Sequence, residues 1–214
     1  MTHIKTLVFN HFKTLFTILG ITTLSLFLLM IRLKLTHSFF LLFLVWNLFL
    51  AFIPFAITFY LKNTTKLSGG KLGFWFFIWL LFLPNAPYIV TDLIHLQLSE
   101  GLLILLDILV IGLFALSGLY CYFMTVRDMK ELVSKFLSER IVTFLFIITP
   151  FLCGFGIYLG RVLRFNSWDL LNNPVLLLSE IIHCIIHPIE HWAAWTITVG
   201  FGVFLTIVSK PKIK

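Results

Sequence analysis

Long apolar runs alternate with short polar breaks along nearly the whole chain, and this alternation sets the expected architecture. Six apolar stretches stand out, at about 14–31, 39–61, 72–98, 101–124, 141–160 and 192–208, the third of them interrupted. Most suit the ~20 helical residues that cross a hydrocarbon core of about 30 Å. The short alternating strands of an outer-membrane barrel do not fit this pattern. The expected fold is therefore an all-α integral membrane protein: six transmembrane helices forming a single transmembrane domain over residues 1–214. Lys5 and Lys13 precede the first stretch as they would in a signal peptide. No alanine occurs before Ala51, so an A-x-A cleavage site is missing and the stretch reads as a retained helix.

Two segments depart from simple spans. Over residues 174–191, Glu180, His183 and His187 recur at helical spacing, while Leu177, Leu178, Ile181, Ile182, Ile185 and Ile186 fill the other side. That pattern predicts an amphipathic helix near 175–187, lying at the membrane interface and ended by Pro188. The other segment is the third stretch. Leu72 to Leu83 is apolar throughout, covers only about 18 Å as a helix, and runs into Pro84-Asn85-Ala86-Pro87. The third helix is expected to break at Pro84–Pro87, and irregular backbone at that depth needs burial in protein or a polar cavity. Beyond the break, Tyr88, Thr91, Asp92, His95 and Ser99 share one face. Pro87 suits the first turn of a second half-helix and Asn85 its cap, which would aim a helix N-terminus at an anion. A kink that serves packing alone is the alternative.

Composition narrows the classes. Hydrophobic residues make up 60% of the chain and charged residues 12%, against about 25% charged in a soluble domain. This excludes a secreted disulfide module, a disordered chain and an ordinary cytosolic enzyme. The three cysteines show no CxxC spacing. The net charge of +7 comes without a basic cluster interleaved with aromatics, so no nucleic-acid partner is expected and the charge reports orientation. With a cytoplasmic N-terminus, 12 of the 16 Lys and Arg residues fall on inner segments. Only Arg32, Lys34, Arg161 and Arg164 fall outside. Both termini are therefore expected in the cytoplasm.

The candidate chemistry collects on the outer side of that topology. Arg161 and Arg164 lie one helical turn apart and run into Asn166-Ser167-Trp168-Asp169, which reads as a structured turn. A guanidinium binds carboxylate or phosphate through a planar fork, although both arginines could simply reach for lipid headgroups. Asn85, Tyr88, Arg161, Arg164, Asn166 and Asp169 are taken as a substrate- or anion-binding set, with His95 as acid/base and Asp92 orienting it. Asp107 is either a functional acid within the fourth span or a partner for Arg161 or Arg164. His183 and His187 have a zinc-pair spacing, and His191 or Glu190 could add a ligand. However, Cys184 stands where an HExxH motif needs glutamate, and Pro188 separates His187 from His191. The sequence reading therefore assigns no metal and no cofactor. Gly156 and Gly160 form a GxxxG pattern that predicts close helix packing.

The run Leu83-Pro84-Asn85-Ala86-Pro87-Tyr88-Ile89-Val90-Thr91-Asp92-Leu93-Ile94-His95-Leu96 resembles the signature of a family of bacterial multi-pass membrane proteins, domain of unknown function 1361. Gly160-Arg161, Arg164 to Asp169, and His187-Pro188-Ile189-Glu190-His191 are similar to its other two motifs. The resemblance implies a bacterial plasma membrane and six spans, and it implies no reaction. The residues themselves suggest an enzyme acting at the outer face on a lipid-linked or cell-envelope substrate. The alternatives are a substrate-capture membrane subunit of a small-molecule importer, or a structural or assembly partner of another membrane protein. Membrane lipid and a lipid-linked or anionic small molecule are the expected partners.

Overall fold

The computed structural model describes residues 12–99, 101 and 103–209. Lys5, Lys210, Lys212 and Lys214 of the charge count lie outside the described residues. Among those described there is no strand. The elements in chain order are α1 (Phe12–Thr36), α2 (Phe43–Lys62), α3 (Gly69–Phe82), α4 (Asn85–Tyr88), a 3₁₀ segment (Ile89–Leu98), α5 (Leu103–Val133), α6 (Glu139–Arg161), α7 (Asp169–Asn172), α8 (Pro174–Ile186) and α9 (Trp192–Ser209). Taking Gly69–Leu98 as one unit, six of these are long and apolar enough to cross a membrane, matching the six expected spans. Large apolar side chains such as Phe16, Phe49, Phe74, Phe144 and Ile207 stay exposed on them, as lipid-facing residues do.

Two packed units make up the bundle. In the first, α1, α2, α4 and the 3₁₀ segment close around α5, with α3 packed on α2, over a core that includes Leu44, Leu83, Ile111, Phe114 and Met129. In the second, α6 and α9 pack along their lengths because small residues allow it: a Cβ on Gly154 would stand 2.6 Å from the Thr198 carbonyl oxygen. α8 joins this second unit through Cys184, which is buried with Tyr158 and Ala194. The units touch where α6 meets Pro84–Tyr88, α3 and α5. The GxxxG pattern makes that contact possible. Gly156 faces the Pro84 ring and Gly160 faces the Tyr88 ring, while on the other side Gly118 of α5 receives the Ala86 carbonyl.

That clamp explains the third span. Pro84 and Pro87 carry no N–H, so the α-helical ladder stops at Phe82 and resumes as one short turn before tightening to 3₁₀. Leu83 (φ −56°, ψ −39°), Pro84, Tyr88 and Ile89 keep right-handed helical dihedrals, so the break is a change of helix type and the chain does not unwind. The expected half-helix N-terminus is corrected by this geometry. The Ala86 N–H donates to Leu83 O at 3.1 Å and the Tyr88 N–H to Pro84 O at 3.0 Å. Asn85 does not cap; its Nδ2 donates to Phe82 O at 2.9 Å.

The opposite end of the bundle has its own ties. Lys62 of α2 bridges Asp128 (3.0 Å) and Glu131 (3.1 Å) of α5. Deeper in, Trp79 Nε1 donates to Thr125 Oγ1 at 2.8 Å, and that hydroxyl donates to Pro54 O at 2.8 Å. Three helices thereby share one satisfied polar cluster in an apolar surround.

Candidate functional site

Asp92 organises the polar centre. In a 3₁₀ segment side chains three apart eclipse one another, which sets His95 directly above Asp92. The Asp92 side chain is fully buried, and both of its oxygens are engaged. Arg161 Nη1 donates to Oδ1 at 3.0 Å, and Asn47 Nδ2 of α2 donates to Oδ2 at 2.8 Å. The guanidinium is held further by Thr91 O, 3.0 Å from Nη2, and by the Tyr88 hydroxyl, 3.4 Å from Nη1. It also lies over the Tyr88 ring, 5.6 Å from the centroid. His95 Nε2 is 3.4 Å from Nη2. An arginine nitrogen can only donate, so Nε2 accepts and the imidazole proton rides on Nδ1. The ring is walled by Phe43 and Phe40, with centroids at 4.9 and 5.7 Å.

A second buried ion pair lies close by. Arg32 of α1 grips Asp107 of α5 through Nε (3.0 Å) and Nη2 (3.5 Å), while Ser99 donates to Asp107 Oδ2 at 2.6 Å. Asp107 therefore pairs with Arg32, which corrects the expected partnership with Arg161 or Arg164. Arg32 also stacks on Phe40, the ring that walls His95.

Beside the centre, in the seam between the two units, a cavity of about 410 Å³ opens. Its apolar wall includes Leu50, Phe77, Leu80, Leu152 and Phe155; its polar wall is Asn47, Asn85, Tyr88, Asn166 and Ser167. On α3–α4 the polar positions Asn85 and Tyr88 lie one or more turns nearer the α6–α7 connection than Phe77, Leu80 and Leu81. Leu177 and Ile181 of α8 roof the space. Asn85 is fixed there from two sides, because its Nδ2 also donates to Ser167 Oγ at 3.1 Å and Ser167 donates on to Leu81 O at 3.0 Å. Both amide N–H groups of Asn85 and one of Asn47 are committed, and the Oδ1 atoms of both residues are without a protein partner among the described residues.

Not every residue singled out in the sequence joins this site. Tyr88, Asp92, His95 and Arg161 meet directly, and Asn85 and Asn166 share the cavity with Tyr88. Asp169 instead closes its own turn, accepting from the Asn166 N–H at 2.6 Å. Arg164 is exposed, makes no hydrogen bond or ion pair among the described residues, and sits at φ +61° where α6 turns into the loop. His183, His187 and His191 gather around the C-terminal end of α8, off the cavity wall. Asn47 is the residue that sequence reasoning missed. A lone amide in the otherwise apolar run 39–61 was the available signal, since a polar side chain in a span usually faces a partner.

The chain belongs to a family described as proteins of unknown function (DUF1361), whose model matches residues 46–208. The matched region takes in the cavity, both aspartates of the buried ion pairs and the histidine cluster. No curated protein and no solved structure matches the chain.

Proposed function

For a member of this family with an apolar cleft beneath an interfacial helix, we propose a plasma-membrane protein that binds a lipid or lipid-linked envelope molecule. The acyl or prenyl part lies among Leu50, Phe77, Leu80 and Phe155, and the polar end meets Asn47, Asn85 and Tyr88. The observation that carries this reading is the mixed cavity wall, mostly apolar, with the amides of Asn47, Asn85 and Asn166 and the hydroxyls of Tyr88 and Ser167 gathered toward the α6–α7 connection. Clefts of this kind bind ligands through a large apolar surface and a few placed polar groups.

The polar groups argue for the class of head. Asn47 and Asn85 offer carbonyl oxygens and Tyr88 offers a hydroxyl, a set that suits ligand O–H or N–H groups. Arg161 is already neutralised by Asp92, so the head is an uncharged polyol, sugar or amide and not a free anion held by two arginines. Asp92 and His95 then act as positioning residues: they fix Arg161, which fixes the Tyr88 hydroxyl, and Asp92 fixes Asn47. The cavity opens to the outer face and both termini are cytoplasmic. Neutralisation supports that orientation, because Arg32 and Arg161 are paired and only Lys34 and Arg164 remain as exposed cations on that side.

Native mass spectrometry of the protein released from mild detergent tests the proposal. One retained lipid per chain with a hydroxyl- or amide-bearing head is expected, and it should be lost when Leu80→Trp fills the cavity. A bare chain, or an adduct indifferent to that substitution, would contradict it.

A further inference from the structure

Past Ile186 the helix α8 stops, and the turn through Pro188 folds His191 back onto His183. His183 Nδ1 and His191 Nε2 face each other at 2.7 Å. That is the length of an ordinary N–H···N hydrogen bond in which one imidazole donates and the other accepts, and a metal ion taking the place of the shared proton would be held by the same two nitrogens. Glu190 brings a carboxylate to the same point, and all three ligand atoms lie within 4.8 Å of one another. Pro188, which on sequence grounds separated these residues, is what lets the chain reverse and bring them together.

We propose that His183 Nδ1, His191 Nε2 and the Glu190 carboxylate bind one first-row divalent cation, zinc by the character of the donors. Two histidines and a carboxylate are a zinc-type set that leaves a fourth position open. In a tetrahedral site with bonds of 2.0–2.1 Å, two nitrogens stand about 3.3 Å apart. A small opening of the pair reaches that separation, and His183 and Glu190 are exposed enough to move. Supporting contacts are present as well. The Tyr158 hydroxyl lies 3.4 Å from His191 Nδ1, which holds the ring with Nε2 directed at His183. His187 Nδ1 lies 3.9 Å from Glu190 Oε1, and its ring packs on His183 at 4.7 Å between centroids. His183 and Glu190 are exposed at the end of α8, so the open position would take a water molecule or an anionic group. The site stands apart from the lipid reading, because α8 turns Leu177 and Ile181 to the cavity and His183 away from it.

Cobalt(II) titration of the detergent-purified chain, with no polyhistidine tag, tests the site through visible d–d absorption. One equivalent is expected to bind with a four- or five-coordinate spectrum, to be displaced by zinc, and to protect the chain against heating. His183→Gln and His191→Gln, checked for a monodisperse folded state, should abolish the band, and Tyr158→Phe should weaken binding by about 10-fold or more. No band with folded wild-type protein would overturn the proposal and leave the shared proton. A band unchanged in both histidine variants would overturn it equally. Should the glutamine variants not fold, wild-type protein that gains no heat protection from zinc would decide against the site.

Discussion

Arg161 and Asp92, sixty-nine positions apart in the chain, meet at 3.0 Å across the seam between the two helical units. The pair does more than join α6 to the third span. It fixes the Tyr88 hydroxyl on one side and, through Asp92, the Asn47 amide on the other, so two of the polar groups at the cavity rim take their orientation from one ion pair.

Removing the cation should therefore be costly. Arg161→Met leaves Asp92 fully buried without its arginine, with Asn47 at 2.8 Å and His95 Nε2 at 3.9 Å, and breaking a buried pair from one side costs about 3–5 kcal/mol. Arg161→Lys should lower folded yield too, because a single ammonium cannot serve Asp92, Thr91 O and the Tyr88 ring together. Arg164→Gly should do no harm and is expected to raise the unfolding temperature. Its left-handed backbone favours glycine by about 1–2 kcal/mol. Fluorescence-detected size exclusion after graded heating would read all three.

The Arg32–Asp107 pair offers a cleaner test of what buried ions contribute. Either Arg32→Met or Asp107→Leu alone should destabilise strongly, since each leaves a buried charge without its counter-ion, held only by neutral partners: Ser99 for Asp107, Thr36 and Ser38 O for Arg32. The double variant should recover most of the loss, as apolar replacements of whole buried pairs commonly do. Equal losses in the single and double variants would mean that the pair does not behave as one unit.

Glycine positions should separate packing from propensity. At Gly156 an added Cβ would stand 2.8 Å from Pro84 Cβ, so Gly156→Ala should cost about 1–3 kcal/mol by overpacking. Gly73 on α3 has open space and Gly73→Ala should be neutral or stabilising. The same heating assay distinguishes them.

Orientation can be read by labelling. Cys121, Cys153 and Cys184 are all buried, so they give a quiet background for an introduced thiol. In whole cells an impermeant maleimide should modify Asn172→Cys and leave Ser68→Cys untouched. The reverse would place the cavity mouth in the cytoplasm.

Spans were legible because crossing hydrocarbon imposes a length and a composition that any single stretch must satisfy by itself. The end of the α-helix at Phe82 was legible for the same local reason, since proline removes a donor wherever it stands. Partnerships were harder. Which carboxylate Arg161 or Arg32 would meet depends on how each helix is rotated in the bundle, and hydrophobic runs with lipid on one side and protein on the other carry little periodicity to reveal it. Asn85 illustrates the difference: its local spacing suggested a cap, whereas contact with Ser167, eighty-two positions later, decides where its amide points. The fold-back of His191 onto His183 was hidden by a proline that reads locally as a separator.

Photocrosslinking from inside the cavity tests the central claim most directly. Phe155 lines the apolar wall, while Phe49 of α2 projects outward and is absent from the lining. A benzoyl-phenylalanine replacing Phe155 should capture one lipid class far above its share of the membrane, and the same probe at Phe49 should capture lipids in proportion to the bulk. If the Phe155 probe also returns the bulk mixture, or crosslinks only to the protein itself, the cavity is not a lipid-binding site and the account fails.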